Sequence, residues 1–581
     1  MNDGSLPRRR LLAGGLAGLS VLTVPAAGCA PGEPTGGSGA EGPTGSPVDL
    51  GPETAGIDYP DPYTGPRART VEPFGDPTAP FRVVVRQDAE VVGDWARNGF
   101  TRWLEQRTGV KIDFQTVLVT GSDGSTDLTK INAILASGDL PDAFLGIPLT
   151  DDQISLYGQQ GALTRLDPYL ETQAPQLKQA MTDYPDLRTL SKATDGGIYQ
   201  FRGLNDCFQC RAATGRSYIN QAYLERVGAE VPTDLDQFAE VLRLFRDRDP
   251  SGTGGMIPFG AGVNQPIDGF VMNAFLYNPG GTPSGGWLAL DGDRVAFQAT
   301  KPEWRAGLRY LRSLADEKLI TPEAFTMTDD AMRRVGNQGR FGAVRAFAWI
   351  TFVDVTPGRE GRWTDYVALP PLAGPDGVRY AAWDHYSGIR DAAGLVITSA
   401  CRSPETLVRW ADAQLELEAT LRAYGGTPGE NWDWAKPADR GIDGRQAIWD
   451  LKEFPPPAGQ SWSQNSVMYR SNDFRLSQRD DPTRPTLAGR LYRDALTYQK
   501  FQQPKEHQLP PLIFDEADAA RRADLGAALA AAVRTATAEF SLGRRRVDDE
   551  ADWQAYLDQL AGIGVQDYVD LHQRAYETRP R

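Results

Sequence analysis

The sequence predicts a mostly parallel α/β fold, on three observations. Residues 81–146 read as strand, helix, strand, helix, strand. The alternation of strand and helix returns over residues 217–250 and again over 341–425. A long helical tail closes the chain. Strands that alternate with helices form βαβ units, and such units build parallel sheets.

Each element has a local cause. "FRVVVRQ" is an apolar run from Phe81 to Val85, as suits a strand covered on both faces. "DWARNGFTRWLEQRTG" offers Asp94 as an N-cap, Phe100, Trp103 and Leu104 at helical spacing, and Gly109 as the stop. In "VKIDFQTV", Val110, Ile112 and Phe114 alternate as a strand. In "INAILASGDLPDAFLG", Ile131, Ile134 and Leu135 mark a helix face that ends at Gly138. Asp139-Leu140-Pro141-Asp142 then turns the chain into the inner strand "AFLG", whose far end delivers Gly146-Ile147-Pro148. "SYINQAYLERVGAEVPTDLDQFAEVL" gives a strand, a short helix and a helix capped by Thr233. "GAVRAFAWITF" reads as a further apolar strand and "GLVITSA" as another, followed by a helix opening at Ser403-Pro404-Glu405.

The N-terminus speaks to location. Arg8, Arg9 and Arg10 precede an apolar segment from Leu11 to Ala27 and Cys29, the pattern of an export signal. The Arg8-Arg9-Arg10-Leu11-Leu12 order resembles a twin-arginine signal. Ala26-Ala27-Gly28-Cys29 resembles a lipobox, with residues 1–28 removed and Cys29 lipidated. From Ala30 to about Pro80 the chain is rich in Gly, Pro, Ser, Thr and acidic residues, so residues 29–80 read as a lipidated disordered spacer.

The formal net charge of -15 excludes nucleic acid as a partner, because phosphate binding needs clustered Lys and Arg. The run Arg544-Arg545-Arg546 is followed at once by Asp548-Asp549-Glu550. Cys207 and Cys210, in "CFQC", lie in a loop-like stretch and are either a local disulfide or two free thiols. The chain's 3 His, among them His385, give no zinc spacing. Cys401 reads as a small buried residue.

Five segments in order, "DWARNGFTRWLEQRTGVKIDF", "KINAILASGDLPDAF", "YINQAYLERVGAEVPTDLDQFAEVL", "YVALPPLAGPDGVRYA" and "ITSACRSPETLVRWAD…YGGTPGENW", resemble family 1 of the extracellular solute-binding proteins of ABC importers. "EVVGDW" and "GENW" are similar to the alginate- and pectin-oligosaccharide-binding group. The resemblance implies a two-lobed, periplasmic-binding-protein-like fold (type II) with a crossing hinge. Lobe 1 would take residues 81–216 and 390–455, and lobe 2 residues 217–389 and 456–581. It implies capture of a carbohydrate, delivery to ABC permease subunits, a monomer tethered by lipid outside the cell membrane, and no catalysis. An exported glycan-degrading enzyme and a non-transporting sensor or scaffold lipoprotein are the alternatives.

Ligands of such sheets sit beyond the carboxyl ends of the strands. That rule nominates Arg86, Gln87, Asp94 and Trp95; Arg202, Asn205 and Arg216 near the hinge; Trp349; and Trp383, Asp384 and Tyr386, with Trp287 and Tyr424 besides. A sugar's C–H face packs on an aromatic ring while its hydroxyls take fixed polar partners, which is why indoles beside carboxylates and amides suit it. A uronate would call on Arg86, Arg202 or Arg216. Trp103, Trp304, Trp410 and Trp553 lie on helix faces and read as core. The resemblance also suggests a calcium loop at "RDRDPSGTGGMIPF". Asp249, Ser251 and Thr253 alternate there, but the loop is short and lacks a closing Asp-Glu pair, so no metal cofactor is expected.

Overall fold

Val83 and Val85 point to one face of the first strand and Val84 to the other, and all three are buried. That run therefore belongs in a sheet covered on both sides, and two such sheets organise the chain. The computed structural model describes residues 47–579 apart from 120–126, 281–285, 357–358, 387–393, 482 and 485. The export signal, Cys29 and the spacer up to residue 46 lie outside the described residues.

In chain order the strands are β1 (Phe81–Arg86), β2 (Ile112–Val117), β3 (Ala143–Leu145), β4 (Phe201–Arg202), β5 (Leu204–Asn205), β6 (Ser217–Asn220), β7 (Ile257–Gly260), β8 (Leu288–Asp291) and β9 (Arg294–Phe297). Then follow β10 (Phe341–Arg345), β11 (Tyr366–Leu369), β12 (Gly394–Ile397), β13 (Trp432–Trp434), β14 (Trp449–Leu451) and β15 (Tyr469–Arg470). The first lobe's sheet runs β2-β1-β3-β12-β4, and the second lobe's runs β11-β6-β10-β7. β1 pairs β2 and β3 in parallel, while β12 is antiparallel to β3 and β4. β7 and β10 are parallel and β6 is antiparallel to β10 and β11.

The helical tail packs on the second lobe, where Leu529, Val533, Phe540, Trp553 and Tyr556 share a core with Phe238, Phe259 and Trp304. Gly109 and Gly138 close their helices in the left-handed region, at φ 70° and 77°. The helix after β1 differs from the expected one at its start. Asn98, not Asp94, is its N-cap and accepts from Phe100 N at 2.9 Å. Asp94 instead caps the preceding turn through Ala96 N.

Two boundaries move. The chain stays with the first lobe beyond residue 455, since Trp462, Val467, Met468 and Tyr469 join that lobe's core and β15 pairs β5. Residues 47–80 are not an unstructured spacer. Ile57, Tyr59 and Tyr63 pack on Trp449 and Phe474, and Arg69 N donates to the buried carboxylate of Glu416 at 2.9 Å. That carboxylate also receives Arg107 at 3.1 Å and two N–H groups of its own helix, from Glu418 and Ala419. An extended segment needs no apolar period of its own when the body supplies both core and hydrogen bonds.

Candidate functional site

The strand directions locate the candidate site. β1, β2, β3 and β4 end on one edge of the first sheet, where Gly146 N donates to Gly394 O at 3.1 Å. β7, β10 and β11 end on one edge of the second sheet, where β6 begins. The crossing segment 205–217 leaves the first edge at β4–β5 and enters the second at Ser217. Both carboxyl edges thus border the crossing, and sheets of this kind bind ligands outside the carboxyl ends of their strands.

Three large apolar side chains stand exposed just past strand ends. They are Leu118 after β2, Val263 after β7 and Phe347 after β10, at 51%, 41% and 40% exposure. Phe347 has a fixed main chain: its N–H donates to Gln265 Oε1 at 2.8 Å and its carbonyl accepts from Arg216 at 2.7 Å. The Arg216 guanidinium lies 5.9 Å from its ring centre, and the rest of the ring is open to solvent. Arg216 is fully buried and also donates to Gln209 O. Arg345, the last residue of β10, donates to Gln265 and to Thr214 O. Burial pushes its guanidinium down to about 10 against the nearby Asp268 carboxylate. Together these two arginines bind the crossing backbone to the second sheet.

The indoles named from the sequence lie elsewhere. Trp95 packs between Phe114 and Trp462, with its N–H donating to Arg86 O at 3.1 Å. Trp349 is fully buried, donates to Tyr366 O at 3.2 Å and is covered by the Arg490 guanidinium. Trp383 packs on Phe208 in a small cluster with Tyr498, and Trp287 donates to Asp268 at 3.4 Å inside the second core. Each has its ring faces covered and leaves none for a sugar. That corrects the expectation for Trp95, Trp287, Trp349 and Trp383.

The polar candidates divide. Arg86, closing β1, lies 3.5 Å from Asp88, and Gln87 beyond it is exposed. Arg202, closing β4, pairs with Asp151, and Asn205 accepts from Arg475. Asp384 accepts from Gln508 at 2.7 Å and from Tyr386 N at 3.0 Å, and Lys505 lies 5.0 Å from the Tyr386 ring centre. His385 hydrogen-bonds Gln503 O through Nε2 at 2.8 Å. Asp94 is exposed and pairs with Arg97 at its own turn.

Tyr424 is half-buried. It stacks on Phe454 with centres 5.1 Å apart and lines a cavity of about 240 Å³ with Trp449, Phe474, Arg475 and Leu487. Its wall also includes Leu451, which closes β14, and Cys207 and Cys210, which are disulfide-bonded. Cys401 is half-buried rather than fully enclosed, and burial pushes its thiol up to about 12. In the "RDRDPSGTGG" loop, Asp249 accepts from Ser251 and from Gly254 N, and Ser251 and Thr253 hydroxyls lie 2.8 Å apart. Among the described residues no three His, Cys, Asp or Glu side chains gather as a metal site, and no helix is long and apolar enough to cross a membrane.

Comparison with known proteins adds a family. The model described as bacterial extracellular solute-binding protein matches residues 88–413. A fructooligosaccharide ABC transporter substrate-binding protein, FusA of Streptococcus pneumoniae, is 28% identical over 335 residues, which are 56% of this chain and 59% of that protein. Lipoprotein LipO of Bacillus subtilis is 26% identical over 349 residues, 57% of this chain and 63% of that one. The chain thus spans about three fifths of the length of these curated relatives. The structure of FusA in complex with kestose superposes with TM-score 0.70 at 21% identity, covering 86% of this chain and 99% of that one. Alginate-binding protein AlgQ2 without calcium ion gives TM-score 0.64 at 18% identity, over 87% and 100%. These likenesses show the two-lobed fold.

Proposed function

The chain belongs to the bacterial extracellular solute-binding proteins, and from that premise we propose that it captures an oligosaccharide between its lobes for the membrane subunits of an ABC importer. One observation carries the reading: Leu118, Val263 and Phe347 stand exposed just past the strand ends of both sheets. Exposed apolar side chains past the strand ends, with the amide of Gln265 fixed beside Phe347, match a sugar's apolar face and hydroxyl rim. Phe347 supplies the aromatic platform that the sequence reading sought in Trp349.

The ligand is read as neutral. Arg86 sits against Asp88, Arg202 pairs with Asp151, and Arg216 serves main-chain carbonyls, so these three are already engaged. A uronate needs an uncommitted guanidinium fork. Binding on its own drives closure, because a ligand that touches both lobes shifts the open–closed equilibrium by its differential affinity; no residue need be catalytic. The tether belongs to the same proposal. The lipobox Cys29 would hold a monomeric body at the outer face of the membrane, and a relative bears the name lipoprotein.

The test is calorimetric titration of the purified chain with kestose, other neutral oligosaccharides and an alginate oligosaccharide, followed by chromatography of the ligand. The expected result is one-to-one binding of a neutral oligosaccharide that is recovered intact. Cleaved sugar would place the protein among exported glycan-degrading enzymes, and binding of the uronate alone would overturn the neutral reading. No binding across the panel would favour a sensor or scaffold.

A further inference from the structure

We propose that Asp152 and Arg522 are positioning residues, a charged clasp that joins the two lobes at the cleft and sets how far the ligand-free protein is closed. Asp152 belongs to the first lobe. It is the second residue of the helix Asp151–Gln159, which follows the ligand-side end of β3 by a few residues. Thr150 and Gln153 fix that helix start by a reciprocal cap, Gln153 N donating to Thr150 at 3.2 Å and Thr150 N to Gln153 Oε1 at 3.0 Å. Asp151 turns to Arg202 within its own lobe, which leaves Asp152 to face the other.

Arg522 belongs to the helix Glu516–Ser541 of the second lobe. Its Nη2 donates to Asp152 Oδ2 at 2.6 Å, and Phe514 N donates to Asp152 Oδ1 at 3.3 Å. Both carboxylate oxygens of Asp152 are thus held by the second lobe. The guanidinium lies 4.8 Å from the Phe514 ring centre, and that ring meets His572 at 5.1 Å, so the arm is braced from behind. The Asp152 and Arg522 side chains are 9% and 25% exposed, which distinguishes this pair from the open surface pairs nearby, such as Arg521–Asp567 at 57% and 53%. Screened pairs on the rim contribute little, whereas partly buried, doubly hydrogen-bonded ones contribute measurably. Asp151, Tyr568 and His572 are titratable side chains turned toward this contact.

The clasp can exist only while the lobes are together, since its two halves sit on different bodies. It therefore weights the closed form before any ligand arrives. Apparent affinity scales with the fraction of binding-competent molecules, so losing the clasp weakens capture without touching a ligand contact. The inference rests on the two-lobed capture reading, but its test begins without ligand.

Spin labels at Gln160→Cys and Gln554→Cys, both exposed positions on opposite lobes, report the interlobe distance. In the ligand-free protein, Asp152→Asn and Arg522→Gln are each expected to widen and broaden the distribution, and the exchanged pair Asp152→Arg with Arg522→Asp to restore it. In kestose titrations the single variants are expected to weaken binding about 3- to 10-fold, with the thermal midpoint close to that of the parent. Unchanged distances in both single variants, or a distribution that the exchange leaves wide, overturns the clasp. Absence of kestose binding in every variant refutes that ligand and leaves the distance result standing.

Discussion

Phe347→Ala separates a ligand platform from a structural ring. Phe347 is 40% exposed, and its hydrogen bonds to Gln265 and Arg216 are made by main-chain atoms that alanine also carries. Truncation therefore removes the open face and the distant contact with the Arg216 guanidinium, 5.9 Å from the ring centre, and keeps the main-chain hydrogen bonds. A Phe side chain offers about 200 Å² in all, so the open part is about 80 Å². At about 25 cal/mol per Å², covering it with a sugar face contributes about 2 kcal/mol, or roughly 30-fold in Kd. Trp349, two residues on, is the internal control. It is fully buried among Tyr218, Phe352 and Trp363, and its truncation opens a cavity costing about 3–5 kcal/mol of stability. Calorimetry with the bound oligosaccharide and urea unfolding of both variants give the comparison. The expected pattern is weak binding with parental stability for Phe347→Ala, and lost stability for Trp349→Ala. An unchanged Kd in Phe347→Ala would rule out the platform, because no other exposed aromatic ring stands this close to a strand end of either large sheet among the described residues.

Asp412 gives a pH prediction. Burial pushes its carboxyl up to about 7 although it accepts from Gln176 N at 3.0 Å and Leu177 N at 2.8 Å. The folded state then holds this proton more tightly than the unfolded chain, so stability falls as pH rises from about 4 to 7, by about 4 kcal/mol if this group acts alone. Asp412→Asn keeps an acceptor and removes that slope; urea midpoints across this range should move in the variant's favour as pH rises, and parallel curves would count against the account. Glu416→Ala strands Arg107 and frees the segment 47–80. A loss of about 3–5 kcal/mol in urea unfolding is expected, with earlier proteolysis before residue 80. At Asp249 the carboxylate closes its own loop, so addition of calcium or of a chelator should leave the thermal midpoint where it was.

How far the site could be read from the sequence is decided within the single stretch "GAVRAFAWITF". Its apolar character announces a buried strand, and β10 is that strand, but it ends at Arg345. Nothing in the residue types marks the end, because Ala346, Phe347 and Ala348 continue the apolar run. The chain then enters a short helix, Trp349–Phe352, that turns Trp349 into the core and leaves Phe347 outside. The same difficulty misplaced Trp95 and Trp383: position after a strand was legible, but which way the ring points depends on tertiary packing. The helix stops at Gly109 and Gly138 were legible because a left-handed residue is a local requirement. So was the strand–helix alternation that brings the strand ends of each sheet to one edge. A large indole has more area to cover than a phenyl ring and finds cover wherever the core can offer it, so a chain rich in Trp places many of them inside. At the ends of the two large sheets, the side chains the core has left uncovered are smaller ones, Leu118 on the first lobe and Val263 and Phe347 on the second.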